Sequence, residues 1–494
     1  MASSIAKAEQ SVQRAVKHVV EFGGAEGALA EVEAELWSAL MALGCAVMAL
    51  WLARRAAGRQ PVRYEHEGRE YALDTRTPRR RVVGTRFGKV SFLSPVGRPI
   101  GERAACDLPV DRELGLCGGF SMGTVMAIAK LCAQMAFGSA RATFRDFHEW
   151  TPSPRATLRM VDAVGGEAMG FLEACAAPDE DGEILVIEVD GKGAPMIKSA
   201  EYERRCSPKR RGKNGTGRHR RRARRQDRPK VRRTKGKKSK NAKVAVVGVI
   251  YTLRKTRHGL EGPINKRMVA TFEGHDALFQ RLSKLAEQRG YGHKRTIFLA
   301  DGSDHIWRAQ EKYFPDAEPC VDWFHIVEKL WAAGECLYQE GSPELKAWVA
   351  EHTRNLRHGR VGAVLAALGA ALAATPKTGP GNKGKRKRLA AILNHLTHQR
   401  HRLRYGRFRR DDLPIGSGVV EGAVRNLVGM RLDGPGMRWG RSRSELVLHL
   451  RCILLNSQWA ELAAYVARRG LALAAQPVPA RPHDAVSCDE REAA

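Results

Sequence analysis

From Ile184 onward, short apolar runs alternate with amphipathic stretches, and this order restricts the chain to few topologies. ILVIEV (184–189) is an apolar run ending in Asp190-Gly191, and APMIKS (194–199) follows as a second short strand. KVAVVGVIYTL (243–253) reads as a buried strand. HDALFQRLSKLAEQRG (275–290) carries its apolar residues on one helical face and stops at Gly290. KRTIFLADG (294–302) is another apolar strand, ending in Asp301-Gly302. HIWRAQEKYF (305–314) is a helix stopped before Pro315, and AEPCVDWFH (317–325) is a strand leading into a helix from about Ile326. Residues 327–410 are helical in pattern, interrupted by a linker, PKTGPGNKGKRKR. LPIGSGVVEGAVRNLV then opens a helix, and SELVLHLRCILLNSQWAELAAYVA forms a last one.

Three strands followed by alternating helix and strand is the order of an α/β ribonuclease H-like fold, here with an all-α insertion. In that order the first strand lies centrally, beside the fourth. The acids at their carboxyl ends, Asp190 and Asp301, are therefore expected side by side, each followed by a glycine that allows close approach. Adjacent carboxylates repel each other unless a cation sits between them. Carboxylate oxygens suit Mg²⁺, and a pair of such ions can clamp both oxygens of a phosphoryl transfer. The bland reading of a strand ending in Asp-Gly is a simple turn.

A third acid is expected from a late helix over the same sheet end, and Glu421 fits. A capping box from Ser417 would use position 420, which is Val420, so capping does not account for Glu421. VVEGAV places it among apolar neighbours, where an unpaired carboxylate is costly. Asp322 is a rival for the second acid, on a strand expected farther from the first. Glu188 is a weaker rival for the first, on the same strand face as Asp190. Asp322 and His325 form a D-x-x-H pair that would orient a ligand or phosphate; the alternative is a packing histidine held by its neighbour.

The tract 204–240 holds twenty Lys or Arg and one acid, Asp227, within a chain whose net charge is +31. Such a tract buries no core and is expected to be disordered when free. Its arginines, Arg220, Arg221, Arg222, Arg224 and Arg225 among them, suit sequence-independent phosphate contact. The chain's overall charge points to a polyanionic partner. Upstream, residues 1–60 read as two helices broken at Gly23-Gly24, and 61–117 as a small β-rich segment. Residues 118–180 read as a helix-turn-helix-like DNA-binding region. In it, ARATFRDFHEW and RATLRMVDAVG flank TPSP, with Thr151 or Ser153 as cap and Pro154 in the first turn. Arg155 and Arg159 share a face of the second helix and suit guanine contact in a major groove; an ordinary helical hairpin is the alternative.

Ten cysteines without a C-x-x-C pair argue against a disulfide scaffold or a simple zinc ribbon. The N-terminus has no signal-peptide core. Leu36 to Ala53 is 18 residues without a charge, which touches the length of a membrane span. Its continuity with the charged stretch AEVEAELW favours a buried or dimer-forming helix. The tail 476–494 reads as disordered.

ADGSDHIW, VDWFH and IGSGVVEGAVRNLVGMRLDGPGMRW together resemble the ISKra family of bacterial insertion-sequence DDE transposases, which are broadly Mutator-like. GTRFGKVSFLSPVGRPIGERAACDLPVDRELGL resembles the family's N-terminal region, and the resemblance extends over about residues 80–460. The family pattern implies catalytic acids at Asp190, Asp301 and Glu421 with His325 beside them. It implies two Mg²⁺ or Mn²⁺ ions on the three acids. It implies double-stranded DNA as partner, both terminal inverted repeats and target, and strand cleavage followed by strand transfer. A catalytic domain at 181–326 plus 411–470, a helical insertion at 327–410, homo-oligomerisation, no membrane and a bacterial cytoplasmic, nucleoid-associated location follow as expectations. Relatives often carry paired cysteines in the N-terminal region, where this chain has only Cys106 and Cys117. The competing readings are a ribonuclease H-like nuclease without strand transfer and a non-catalytic, transposase-derived DNA-binding protein.

Overall fold

The computed structural model describes residues 2–21, 28–59, 62–101, 105–197 and 242–471. They fall into two compact units, Met1–Ala168 with Trp459–Ala494, and Met169–Gln458. The Gly23-Gly24 break, the 204–240 tract with Arg220, Arg221, Arg222, Arg224 and Arg225, and the 476–494 tail lie outside the described residues.

In the first unit, helices Ala2–Glu21 and Leu29–Ala57 precede a three-stranded antiparallel sheet of β1 (Arg63–His66), β2 (Arg69–Gly84) and β3 (Lys89–Pro99). The β-rich segment was expected as short strands, but β2 runs 16 residues, bent by a register shift between Asp74 and Arg79. Leu52, Ala53 and Ala56 of the long helix bury against Val83, Val90, Phe92 and Val110. Gly44 leaves room for the Phe87 ring, where any side chain would collide. This helix is long and apolar enough to cross a membrane by length and composition. Its Trp37, Leu40, Val47 and Trp51 are exposed.

Helices Met122–Gln134, Phe137–His148 and Pro154–Ala174 follow. The Ser153 hydroxyl accepts the Ala156 amide at 3.2 Å, so the expected cap-and-proline start is present. Arg141 closes the turn by donating to the Pro152 carbonyl at 2.9 Å. Arg155 is exposed on the first turn and Arg159 half-buried one turn later.

The second unit is built on a mixed five-stranded sheet of β4 (Ile184–Pro195), β5 (Ala242–Thr256), β6 (Gly259–Thr271), β7 (Arg295–Ala300) and β8 (Glu318–Val321). The spatial order is β6-β5-β4-β7-β8, with β4, β7 and β8 parallel and β5 antiparallel to both its neighbours. The first strand thus lies beside the fourth, as expected, but two strand assignments differ. APMIKS is no separate strand, because β4 runs unbroken through Asp190-Gly191 to Pro195, paired with β5 throughout. Gly191 keeps this ladder because its extended backbone pairs with Val246, so Asp-Gly makes no turn here. The third strand is instead β6, an edge strand with alternating polar residues and Pro263, whose exposed half lacks the apolar signature of a buried strand.

The apolar runs of β4, β5 and β7 are buried on both faces. Helix His275–Gln288 covers one face through Leu278, Phe279 and Leu282, with Phe279 against Phe298 and Phe314. Residues expected as one linker are in part helical: Asn382–His398 starts within NKGKRKR, after Gly381 with φ 76°. Lysine and arginine are good helix formers, so charge alone did not end it. The helix Trp459–Arg469 groups with the first unit rather than with the sheet.

Arg289 is a buried fastener behind the sheet. Its side chain is 1% exposed, grips Asp181 at 2.7 and 2.9 Å, and donates to the carbonyls of Ile250 and Asn265. Burial pushes the Asp181 carboxyl up, but hydrogen bonds from Arg289 and Thr252 outweigh it and hold it at about 2. A depressed carboxylate stabilises the fold above its unfolded pKa, and that contribution is lost as pH falls towards 2. Arg289→Met should cost about 3–5 kcal/mol in urea denaturation, because Asp181 loses its buried charge partner and keeps only the Thr252 hydroxyl and the more distant Lys294 and Asn265. An unchanged midpoint would show that the pair does not hold the sheet.

Candidate active site

The β4–β7–β8 registers set the site. Val189 pairs with Ala300, and Ala300 with Val321. One step further along each strand stand Asp190, Asp301 and Asp322, so three aspartates lie in a row across strands about 4.8 Å apart. The Asp322 amide still bonds the Ala300 carbonyl at 2.8 Å, which keeps this row in register. The order of strands thus brings Asp322 into the row beside Asp301, on the strand next to it.

Each aspartate turns one oxygen to its own backbone or neighbour. Asp190 Oδ1 accepts the Gly191 amide at 2.6 Å, and Asp301 Oδ1 accepts the Ser303 amide at 2.9 Å. Asp322 uses both oxygens: Oδ1 accepts the Ser417 amide at 2.6 Å, and Oδ2 meets the His325 amide and Nδ1, each at 2.8 Å. Asp322 is fully buried.

The helix carrying Glu421, Gly418–Val424, begins where two buried carboxylates receive its free amides. Glu188 Oε2 accepts the Val420 amide at 2.8 Å while Oε1 accepts the Tyr251 hydroxyl at 2.7 Å. With the Ser417–Asp322 bond, this satisfies amides at the helix start that no residue of the helix can reach. Ser417 makes no side-chain cap and instead lies 3.4 Å from Glu421 Oε1. The helix continues as a π turn, Arg425–Gly429. Trp323 donates its amide to the Ile415 carbonyl at 2.9 Å, and Gly416 leaves room for the Phe324 ring. VDWFH and IGSG therefore pack as one corner. Trp439 ties the far end of the block to β4 through the Pro195 carbonyl at 3.1 Å.

Glu421 is not buried among apolar residues as expected. Val420, Ala423 and Val424 face inward, while Glu421 is exposed on the opposite side of the short helix. Burial cost therefore does not explain it. Its carboxylate nonetheless faces the acid row: donor atoms of Asp322, His325 and Glu421 all lie within 4.8 Å of one another, the one such group among the described residues. The ligand set expected from the sequence, Asp190, Asp301 and Glu421, is not itself that group.

Charge ties these residues together. Burial pushes the Asp190 carboxyl up, and the charges of Asp301 and Glu421 push it further. The Asp322 hydrogen bond raises His325 to about 9, with Asp301 and Asp190 adding to it, so the imidazole is cationic at neutral pH. For Asp322, burial raises the carboxyl, but the His325 and Ser417 bonds outweigh it and hold it low.

Three participants were missed or misassigned. Glu188 is an anchor for the Glu421 helix and not an alternative first acid; its signal was an acid inside an apolar run. Asp322 orders the corner through both oxygens, and its signal was the D-x-x-H spacing. His395, from the helical insertion, lies against Gly302, where a Cβ would be 2.0 Å from its ring. Burial and Lys329 lower it to about 4, and its Nε2 has no hydrogen-bond partner among the described residues. No local pattern marks it, since 93 residues separate it from Gly302.

Desolvation raises Glu188 to about 7 despite its two hydrogen bonds. An acid raised in the fold is favoured in its neutral form. Its stabilising share is complete below the unfolded pKa near 4.5 and is lost as pH rises through about 7. Wild type should therefore lose on the order of 3 kcal/mol between pH 5 and 8 relative to Glu188→Gln, whose denaturation midpoints should be flatter across that range. Parallel pH profiles would place the ionisation elsewhere.

No family model matches the chain, and no curated protein matches it. Among solved structures, the chain is similar to the Drosophila P element transposase strand transfer complex, at 9% identity and a TM-score of 0.24, over 72% of this chain and 84% of that one. So loose a likeness carries no argument, and the site is read from its own residues.

Proposed function

We propose that this chain is a DDE-type DNA transposase with a ribonuclease H-like catalytic domain, of the kind the ISKra resemblance implies. The observation that carries the reading is the set of carboxylate oxygens left without a hydrogen bond at one sheet end. Asp190 Oδ2, Asp301 Oδ2 and Glu421 Oε2 have none among the described residues, whereas both oxygens of Asp322 and Glu188 are engaged. Three carboxylates that each keep one oxygen free, with Asp301 and Glu421 close enough to raise Asp190, are a poor arrangement without a cation and a suitable one with it. The donor set is all oxygen at these three positions, which fits Mg²⁺ or Mn²⁺ better than a thiolate-seeking metal.

Asp190, Asp301 and Glu421 would hold the metal, in two ions on this reading. When bound, such ions activate an attacking oxygen and stabilise a leaving one in phosphoryl transfer. The chain's own residues do the rest. Glu188 and Asp322 hold the Glu421 helix against the acid row. His325, kept cationic by Asp322, presents Nε2–H to a phosphate oxygen of the scissile strand. Asp190→Asn, Asp301→Asn and Glu421→Gln should each abolish nicking of element-end DNA and strand transfer while DNA binding persists. Near wild-type nicking in one variant would remove that residue from the site. Nicking without any strand transfer in the unaltered chain would identify a nuclease instead.

End recognition belongs, on this reading, to the helix that presents Arg155 and Arg159, and sequence-independent affinity to the 204–240 tract. The exposed Trp37, Leu40, Val47 and Trp51, at spacings of three, seven and four along one helix, support pairing of copies. Arg155→Ala with Arg159→Ala should erase the footprint on terminal repeats and spare binding to unrelated duplexes. Deleting 204–240 should weaken both equally. A footprint that survives the double substitution would move recognition to the β1–β3 segment.

A further inference from the structure

The helical insertion carries an arginine-walled cleft that the proposed chemistry does not use. The short helix Tyr405–Arg410 buries Tyr405 and Phe408 and sends Arg407, Arg409 and Arg410 outward. Its base is fixed to the catalytic sheet: the Tyr405 hydroxyl donates to the Val321 carbonyl at 2.9 Å, and its ring meets Trp323 edge-on at 5.0 Å. Two adjoining cavities of about 520 and 450 Å³ open on its outer side. Between them they are lined by Arg357, Arg400, Arg404, Arg407, Arg409 and Arg410. Their shared floor is backbone, because Gly406 and Gly359 abut so closely that a Cβ on Gly406 would meet the Gly359 nitrogen at 2.9 Å. The helix Val361–Ala374 begins at the edge of the second cavity, adding the positive end of its dipole.

Nearby acids do not neutralise this surface. Glu318 is divided between Arg295 and Arg407, and Asp411 is held by Arg295 at 2.7 Å. No carboxylate among the described residues pairs with Arg400, Arg404 or Arg409. Arg357 stacks over the Trp323 ring at 5.0 Å, which fixes its guanidinium at the edge of the cleft nearest the site corner. So many like charges held close together are unfavourable alone and favourable against a polyanion.

We propose that this cleft is a further binding surface of the chain, which grips the phosphate backbone of double-stranded DNA without reading its sequence. The phosphate chemistry rests on the cleft itself, and the choice of duplex DNA rests on the proposed function. Exposed arginines around a concave backbone floor match phosphate oxygens, the contacts that position a duplex without reading it. The place of the cleft, anchored by Tyr405 and Trp323 to the end of β8, assigns it to DNA flanking the strand held at the acids.

The test uses the full chain in EDTA, so that metal binding and catalysis play no part. Affinity for a 30-base-pair duplex of arbitrary sequence is measured against salt for wild type and for the triple variant Arg400→Ala, Arg404→Ala, Arg409→Ala. The expected result is a slope of log affinity against log salt shallower by roughly 3, and affinity lower by roughly ten- to a hundredfold near physiological salt. The corresponding triple lysine variant keeps the charges and should keep the slope. Single alanine variants, each lowering the slope by about one, serve if the triple variant does not fold. An unchanged slope in the folded variants overturns the proposal, as does a loss confined to single-stranded RNA or to an acidic protein. Failure of the catalytic reading shows separately, as nicking that survives Asp190→Asn while the cleft variants still bind weakly.

Discussion

The geometry of the acid site depends on two carboxylates that are themselves buried. Glu188 sits on the first strand of the sheet and Asp322 one residue past the end of the fifth, and both receive amides from the start of one seven-residue helix. A helix this short has little stability of its own, since nucleation is costly and few of its hydrogen bonds close internally. What fixes it is the desolvated pair of acceptors beneath it, each of which keeps one oxygen for a helix amide while Tyr251 or His325 meets the other. Each side removes the other's penalty: an unmet buried amide or carboxylate costs about 1–3 kcal/mol or more, and both are met here. Glu421 is therefore placed by the contacts of Glu188 and Asp322 with its helix start and not by burial of its own side chain.

The same arrangement sets the electrostatics. Asp190 is driven upward by burial and by its neighbours, while His325 is driven upward by Asp322. The corner thus carries a fixed cation beside a row of anions that repel one another. That combination suits a substrate bearing phosphate together with a divalent ion, since one element attracts the phosphate and the other requires the ion. It is a weaker match for a simple structural ion-pair network, in which the carboxylate oxygens would be consumed by protein donors.

Much of this was legible in the sequence, and the exceptions are instructive. The apolar runs at 184–189, 243–253 and 294–300 are buried strands because burial on both faces leaves no alternation to disguise them. The β6 strand was invisible because an exposed edge strand carries polar residues and a proline, the composition of a loop. APMIKS reads as a new strand because Asp190-Gly191 has turn chemistry, yet twelve paired residues of β5 outweigh that local preference. The acid row itself could be anticipated from strand order. The role of Glu188 could not, because its partners lie 63 and 232 residues away. Periodicity reports which face is apolar, not which distant amide lacks an acceptor.

The helical insertion shows the same limit in reverse. Its segments are helical by pattern, but the pattern says nothing of where they return to the sheet. Tyr405 reaches Val321, Trp323 meets Tyr405, and His395 rests on Gly302 beside the second acid. Gly302 is best understood through that last contact. A turn after β7 would accept several residues, but the space a side chain needs is occupied by the His395 ring. The loop bearing Asp301 is consequently confined from one side by the insertion and from the other by β4 and β8. An insertion that touches the site at these points cannot shift without moving an acid or its neighbour, so its helices belong to the architecture of the acid site and not merely to its surroundings.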